Sequence, residues 1–139
     1  MKQILFSGFI CLLLAACGQS GTDRVTTVAG LPGSDAKVQV YYFHGKQRCV
    51  TCVTAQKVAE ETIAEHYAGN NEVAFIEVDF SEKANEPLAE KYEIVFSSLV
   101  IASGDAYKDI TDEAFPMVLR NPDGVKAMIV QETNSFLNK

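Results

Sequence analysis

The chain has 139 residues, of which 47% are hydrophobic and 22% are charged, and these values are typical of one foldable globular domain. It carries 12 Lys and Arg residues against 18 Asp and Glu residues, so the formal net charge is −6. A negative field repels phosphate backbones, and nucleic acid is therefore not an expected partner. The chain has four cysteines, Cys11, Cys17, Cys49 and Cys52, whose placement has to be explained before a function is assigned.

The first sixteen residues have the order of a secretory signal peptide. Lys2 precedes an apolar run of eleven residues from Ile4 to Leu14, and small residues follow it. At about 1.5 Å per residue, the run covers roughly half of a hydrocarbon core of about 30 Å, which is too short for a transmembrane helix. We therefore expect residues 1–16 to be an export signal.

The sequence Leu-Ala-Ala-Cys that ends at Cys17 resembles the bacterial lipobox, in which the signal peptidase cuts before a cysteine that carries lipid. The resemblance implies a lipoprotein anchored in the bacterial cell envelope through Cys17 and facing the periplasm or the outside. Because the chain is acidic, its charge does not attract it to anionic lipids, and the lipid would hold it at the membrane. The alternative is ordinary secretion with cleavage after Ala16 and a free Cys17. In the lipidated form, Cys49 and Cys52 are the two remaining thiols, in a compartment where disulfides persist.

A tether and then a folded domain follow the predicted signal. Residues 17–37 contain several glycines and small polar residues without a sustained period, which is the composition of a flexible linker, with a brief strand over residues 25–28 as one option. The domain spans residues 38–139. Strands are predicted over 37–44, 72–80, 97–102 and 106–110. Helices are predicted over 49–68, 84–92 and 111–119, and from an N-cap at Asn121 towards the C-terminus.

The order of these elements predicts the fold class. The first two strands are joined by a helix and should be parallel, whereas Ser103, Gly104 and Asp105 mark a hairpin between the last two. An α/β (α+β) domain with a four-stranded mixed sheet flanked by helices is therefore expected. A generic two-layer sandwich is the alternative.

Cys49-Val50-Thr51-Cys52 is a CxxC motif at the predicted start of the first long helix. Two residues three apart on a helix have Cα atoms near 5 Å, which lies within the range that a disulfide requires. The first thiol also meets free amide hydrogens at the positive end of the helix dipole, and these favour the thiolate. His44, Lys46 and Arg48 add positive charge to the same turn, although Lys46 and Arg48 are equally well read as solvated turn residues.

Three interpretations of the cysteine pair are open from the residues alone. Redox exchange fits the compartment and the helix start, and it requires no cofactor beyond the redox-active disulfide. A metal site is weaker because structural zinc takes four protein ligands, and its best version is copper handling by Cys49, Cys52 and His44. A purely structural disulfide is disfavoured because so short a loop removes little entropy from the unfolded chain. His66 is interpreted as a surface or boundary residue.

The strand KVQVYYFH running into CVTC, followed by IEVDF, LAEKYEI and SSLVI, resembles the thioredoxin superfamily over roughly residues 38–139. Within it, FHGKQRCVTC is similar to small bacterial thioredoxin-like lipoproteins, a group named after a nitrophenyl compound nitroreductase subunit. The chain has no flavin or nicotinamide fingerprint, so the residues do not support nitro reduction by this chain alone. The resemblance implies a minimal thioredoxin-like fold and a thiol-disulfide oxidoreductase. In such an oxidoreductase, Cys49 attacks the partner disulfide and Cys52 resolves the mixed disulfide. The resemblance further implies that electrons are exchanged with client thiol proteins and with a membrane thiol transporter of the cytochrome c biogenesis type.

The chain departs from the superfamily pattern on the strand that precedes the motif. Thioredoxins have a buried acidic residue there, whereas this strand carries Tyr41, Tyr42 and Phe43. Proton transfer to Cys52 must then come from another group, for which Tyr42 and His44 are the candidates. A tyrosine on an apolar strand is more often a core residue.

Two further departures concern the residues around the motif. Arg48 stands where thioredoxins have an aromatic residue before the first cysteine, and Ser97 or Ser98 stands where the superfamily has a cis proline facing the disulfide. A non-proline peptide bond costs about 2.5 to 4 kcal/mol in the cis form, so we expect trans bonds before both serines. The missing proline gives weight to the copper alternative.

Overall fold

The computed structural model describes residues 35–139, in which a single sheet is flanked by helices. The strands are β1 (Val38–His44), β2 (Val73–Asp79), β3 (Ser98–Ser103) and β4 (Ala106–Asp109). The helices are α1 (Val50–His66), α2 (Glu86–Lys91), α3 (Thr111–Met117) and α4 (Pro122–Leu137), with one 3₁₀ turn at Lys83–Asn85. The export signal, the lipidation site Cys17 and the strand over 25–28 lie outside the described residues and stay predictions.

The four strands form one mixed sheet in the order β2-β1-β3-β4. β1 and β2 are parallel, as the helical crossover predicted, and Tyr42 lies opposite Glu77 in their register. β3 is antiparallel to both β1 and β4, so the hairpin prediction is also confirmed. The α/β fold with a four-stranded mixed sheet is therefore confirmed, and it is consistent with a minimal thioredoxin-like arrangement.

Hydrophobic clusters cover both faces of the sheet. The domain therefore has three layers, with helices on each side of the sheet, and not the two layers of the alternative. Val40 and Tyr42 of β1 pack on the side of α1, α3 and α4. Tyr41 and Phe43, which alternate with them, pack on the opposite side against Leu88 of α2. A strand buried on both faces reads as a continuous apolar run, which is what β1 shows. Because β1 is central, its carboxyl end places the following turn and the start of α1 at one edge of the domain.

The element bounds differ from the predicted ones where a cap or proline intervenes. α1 begins at Val50 because Cys49 is its N-cap, and Asn121 caps α4 by accepting a hydrogen bond from the Gly124 N–H at 3.0 Å. α3 ends at Met117 with Val118 as its C-cap, and a hydrogen-bonded turn connects it to Asn121 at the start of α4. No helix within residues 35–139 is long and apolar enough to cross a membrane.

Candidate functional site

Cys49 and Cys52 lie at the start of α1 and are joined by a disulfide, with their Cα atoms 5.0 Å apart. Cys49 is the N-cap residue, and its Sγ accepts a hydrogen bond from the Cys52 N–H at 3.1 Å. The sulfur thus takes the place of the side-chain oxygen that usually caps a helix. Since the Cys52 amide donates to this sulfur at the positive end of the helix dipole, negative charge on a reduced Cys49 is favoured.

The two cysteines differ in exposure. Cys49 is exposed, whereas Cys52 is half-buried because it lies one turn into the helix. A partner sulfur therefore reaches Cys49 more readily than Cys52. This asymmetry agrees with the roles of attacking and resolving thiol that the resemblance implied.

Tyr42 connects the sheet to the cysteine pair. Its side chain is fully buried on β1, and its hydroxyl donates a hydrogen bond to the carbonyl oxygen of Cys52 at 2.7 Å. Burial raises the pKa of Tyr42, an effect that the charge of Arg48 and a hydrogen bond with Ser97 partly offset. The phenol therefore stays protonated at neutral pH and acts as a donor. Of the two candidates for supplying a proton near Cys52, Tyr42 is the one whose hydroxyl contacts that residue.

His44 and Arg48 share one carboxylate, that of Glu77. The Glu77 Oε1 lies 2.9 Å from the His44 Nε2 and 3.4 Å from an Arg48 guanidinium nitrogen. The Arg48 guanidinium also lies 5.9 Å from the centre of the Tyr42 ring, a cation–π distance. Glu77 thus balances the positive charge that Arg48 brings to the turn beside the cysteines. Arg48 is exposed on the turn, as in the solvated interpretation, and it also contacts Glu77 and the Tyr42 ring.

Glu77 is a site residue that the sequence pattern did not predict. It lies in the segment EVAFIEVDF, which the pattern predicts to be a buried strand. A carboxylate in such a strand needs a cation partner, and this was the available signal. The partner was not predictable, because it depends on the pairing of β2 with β1.

Lys46 lies on the exposed turn between β1 and α1. Within residues 35–139 it forms no ion pair, so the solvated interpretation fits it. Its charge helps to lower the pKa of Asp79. The main cause of that lowering is the hydrogen bond from the Ser81 hydroxyl, with smaller contributions from the Ser81 backbone, His44 and Lys46. Lys46 therefore contributes to the field of this edge of the domain and has no direct contact with the sulfurs.

Ser97 and Ser98, the two serines at which the resemblance implied a departure from a cis proline, have different roles. All peptide bonds within residues 35–139 are trans, which confirms the expectation for Ser97 and Ser98. Ser98 is buried, and its hydroxyl donates to the carbonyl oxygen of Phe96 at 2.9 Å. Ser97 lines a cavity together with Cys52, so it is the serine that lies at the redox pair.

This cavity beside Cys52 has a volume of about 380 Å³. Its other walls are Phe96, Thr111, Asp112, Phe115 and Pro116. Phe96 is 56% exposed, whereas phenylalanine side chains are usually buried in the core. The cavity can therefore receive an apolar side chain next to the disulfide. Phe96 and Phe115 were not identified from the sequence because only the packing of α3 against the loop before β3 brings them together.

In the disulfide state described here, His44, the third ligand of the copper alternative, contacts other groups. The two ring nitrogens of His44 face Glu77 and the carbonyl oxygen of Gly45, at 2.9 and 3.1 Å. Within the described residues, no group of three His, Cys, Asp or Glu side chains is placed to hold a metal ion. His66 is exposed at the far end of α1, about 25 Å from the motif by helical rise, as expected for a surface residue.

Comparison with known proteins gives few relatives. No family model matches the chain, and no curated protein matches it. A solved structure described as "Structure of a malarial protein" is similar, with a TM-score of 0.40 and 21% sequence identity over 60% of this chain and 94% of that one.

Proposed function

We propose that this chain is a thiol-disulfide oxidoreductase of the bacterial envelope, anchored by lipid on Cys17. The observation that carries the proposal is the disulfide between Cys49 and Cys52 at the N-terminus of α1, with the exposed sulfur at the helix cap. Client thiol proteins and a membrane thiol transporter of the cytochrome c biogenesis type are the proposed partners. The superfamily resemblance supports these partners, whereas the cysteine geometry supports the chemistry.

The proposed reaction is a two-step exchange of sulfur–sulfur bonds. A partner thiolate attacks the Cys49 Sγ, the bond to Cys52 breaks, and Cys52 leaves as a thiolate while Cys49 and the partner form a mixed disulfide. A second thiolate of the partner then attacks the partner's other sulfur, which is bonded to Cys49 in the mixed disulfide, and releases Cys49 as a thiolate. Two electrons pass from the partner to this chain, whose thiolates take up protons from water. The reverse sequence oxidises Cys49 and Cys52 and reduces a partner disulfide.

The surroundings of the pair suit a protein substrate. Val50 and Val53 are 75% and 50% exposed beside the cysteines, and the cavity at Cys52 adds Phe96 and Phe115. Exposed apolar side chains concentrated in one place mark an interaction site. We infer that a substrate segment lies across these residues, with an apolar side chain in the cavity and its sulfur at Cys49.

A redox titration of the purified full chain in glutathione buffers tests the chemistry. We expect one two-electron transition, with a potential between about −270 and −120 mV, the range of exchange-active CxxC proteins. A potential below about −300 mV would assign the disulfide to a structural role instead. The Cys49→Ser variant, which cannot form the disulfide, controls for reaction of other thiols.

Labelling with a radioactive fatty acid in bacteria tests the anchor. The wild-type chain should incorporate the label and sediment with membranes, whereas Cys17→Ser should do neither. Label in the Cys17→Ser variant would contradict lipidation at this residue.

A further inference from the structure

A second surface, on the opposite side of the sheet from α1, carries unpaired negative charge. Glu86 and Glu90 are four residues apart on α2, so they share one face of the helix. Glu93 follows the C-cap Tyr92 and lines the same groove as these two glutamates. All three are exposed, and none of them forms an ion pair within residues 35–139. Like charges four residues apart on a helix, such as Glu86 and Glu90, destabilise one another, and a cation supplied from outside would relieve this repulsion.

The lysine of α2 does not compensate these carboxylates. The Lys91 Nζ lies 3.2 Å from the carbonyl oxygen of Gly104 and 3.9 Å from an Asp105 carboxylate oxygen. Lys91 thus faces the β3–β4 hairpin, and the three glutamates keep an uncompensated negative field.

The three glutamates line a groove whose remaining walls are apolar. This acidic groove has a volume of about 430 Å³, and its apolar walls are Phe80, Ala89, Ile94 and Val95. Val95 is 77% exposed, so the groove presents apolar surface to solvent beside the carboxylates. A ligand that fits it must offer both positive charge and apolar side chains.

Two walls of the acidic groove lie next to segments of the chain that lead to the redox site. The Phe80 N–H donates to the His44 carbonyl oxygen at 2.9 Å, and a Cβ added to Gly45 would lie 3.1 Å from the Phe80 ring. The groove therefore touches the turn that leads to Cys49. On its other side, Val95 leads directly to Phe96 and Ser97, which line the cavity at Cys52.

We propose that the acidic groove docks a basic and apolar segment of a partner protein and so holds that partner's sulfur at Cys49. The inference rests on the proposed oxidoreductase function and names the chemistry of its partner. Charge complementarity selects this occupant: anionic lipid and nucleic acid are repelled, and a second copy of this chain has the same net negative charge. The apolar walls distinguish the site from a merely acidic surface.

Binding is tested with a fluorescent peptide of alternating leucine and lysine that contains no cysteine, by fluorescence anisotropy with the full chain. We expect saturable binding that E86Q/E90Q/E93Q weakens about tenfold, since each exposed charge pair contributes modestly. A matched variant, E60Q/E72Q/E113Q, removes the same number of exposed carboxylates elsewhere and should leave the affinity unchanged. Val95→Ser should also weaken binding, and a serine–lysine peptide should bind less tightly than the leucine–lysine peptide.

Several results would overturn the inference. Equal weakening by the two triple variants would show attraction by net charge alone, and equal binding of the serine–lysine peptide would remove the role of the apolar walls. A chain that sediments as a dimer, and becomes a monomer with E86Q/E90Q/E93Q, would assign the groove to a second copy.

Exchange kinetics separate this inference from the proposed function. A leucine–lysine peptide with one cysteine should reduce the disulfide in two steps: its thiolate forms a mixed disulfide with Cys49, and a second peptide thiolate releases Cys49 and yields the peptide disulfide. We expect this reaction to be about tenfold faster than that of a serine-rich cysteine peptide, and E86Q/E90Q/E93Q should remove the difference. If neither peptide reacts, the proposed function fails. If both react equally fast, the docking inference fails and the exchange chemistry stands.

Discussion

The hydroxyl of Tyr42 donates a hydrogen bond of 2.7 Å to the carbonyl oxygen of Cys52, which joins the central strand β1 to the first turn of α1. The second cysteine is thereby held by the sheet and not only by its own helix. Because the cysteine Cα atoms are already 5.0 Å apart in the helical turn, the sulfur–sulfur bond can open and close on a backbone that stays in place.

Removing the Tyr42 hydroxyl should destabilise the domain. We expect Tyr42→Phe to lower the free energy of unfolding by about 1 kcal/mol, the net value of a typical intramolecular hydrogen bond. Urea unfolding of the oxidised chain measures this change. Tyr107→Phe, at a residue that is 42% exposed, should change stability much less and serves as the control. Equal stability of wild type and Tyr42→Phe would show that the bond contributes nothing.

Trapping experiments should distinguish the two cysteines. Because Cys49 is exposed and caps the helix amides, Cys52→Ser should accumulate mixed disulfides with envelope proteins, whereas Cys49→Ser should not. Non-reducing gels of cells expressing each variant measure the trapped species. Equal trapping by both variants, or by neither, would contradict the assignment of Cys49 as nucleophile.

Glu77 should restrain the reactivity of the reduced Cys49 by balancing nearby positive charge. Glu77→Gln leaves Arg48 without its carboxylate partner, which favours thiolate at Cys49, and alkylation by iodoacetamide at neutral pH should become about two- to fivefold faster. Arg48→Gln should slow alkylation by a similar factor. Glu61→Gln, which removes a carboxylate paired with Lys57 on the outer face of α1, is the control. Unchanged rates in both Glu77→Gln and Arg48→Gln would show that this ion pair does not act on the thiol.

Tyr41 should make the domain less stable at alkaline pH. Burial, followed by the neighbouring Tyr92, raises the pKa of Tyr41 from 10.0 to about 12. The unfolded chain therefore releases this proton at lower pH than the folded chain, and stability that is fully present below pH 10 is lost as the pH rises towards 12. Urea unfolding across this range should show a shallower loss for Tyr41→Phe than for the wild type. Identical slopes in the wild type and in Tyr41→Phe would contradict the assignment of this loss to Tyr41.

The helices and strands were predictable because their signals are local. The apolar run of β1, the cap and proline at Asn121 and Pro122, and the turn at Gly104 each depend on neighbouring residues. The CxxC motif belongs to the same class, since its position at a helix N-terminus follows from the residues on either side. The sequence alone therefore determined the fold class, the cysteine pair and its place at the start of α1.

The contacts that surround the pair were decided only by the tertiary structure. Glu77 reaches His44 and Arg48 because the register of β2 against β1 places it opposite Tyr42, and no local pattern encodes a register between strands separated by a helix. The choice of Ser97 over Ser98 likewise depends on which residue of the loop before β3 faces the cavity at Cys52, and a shift of one residue reverses that face. These contacts join residues far apart in the chain, so packing fixes them and local propensity does not.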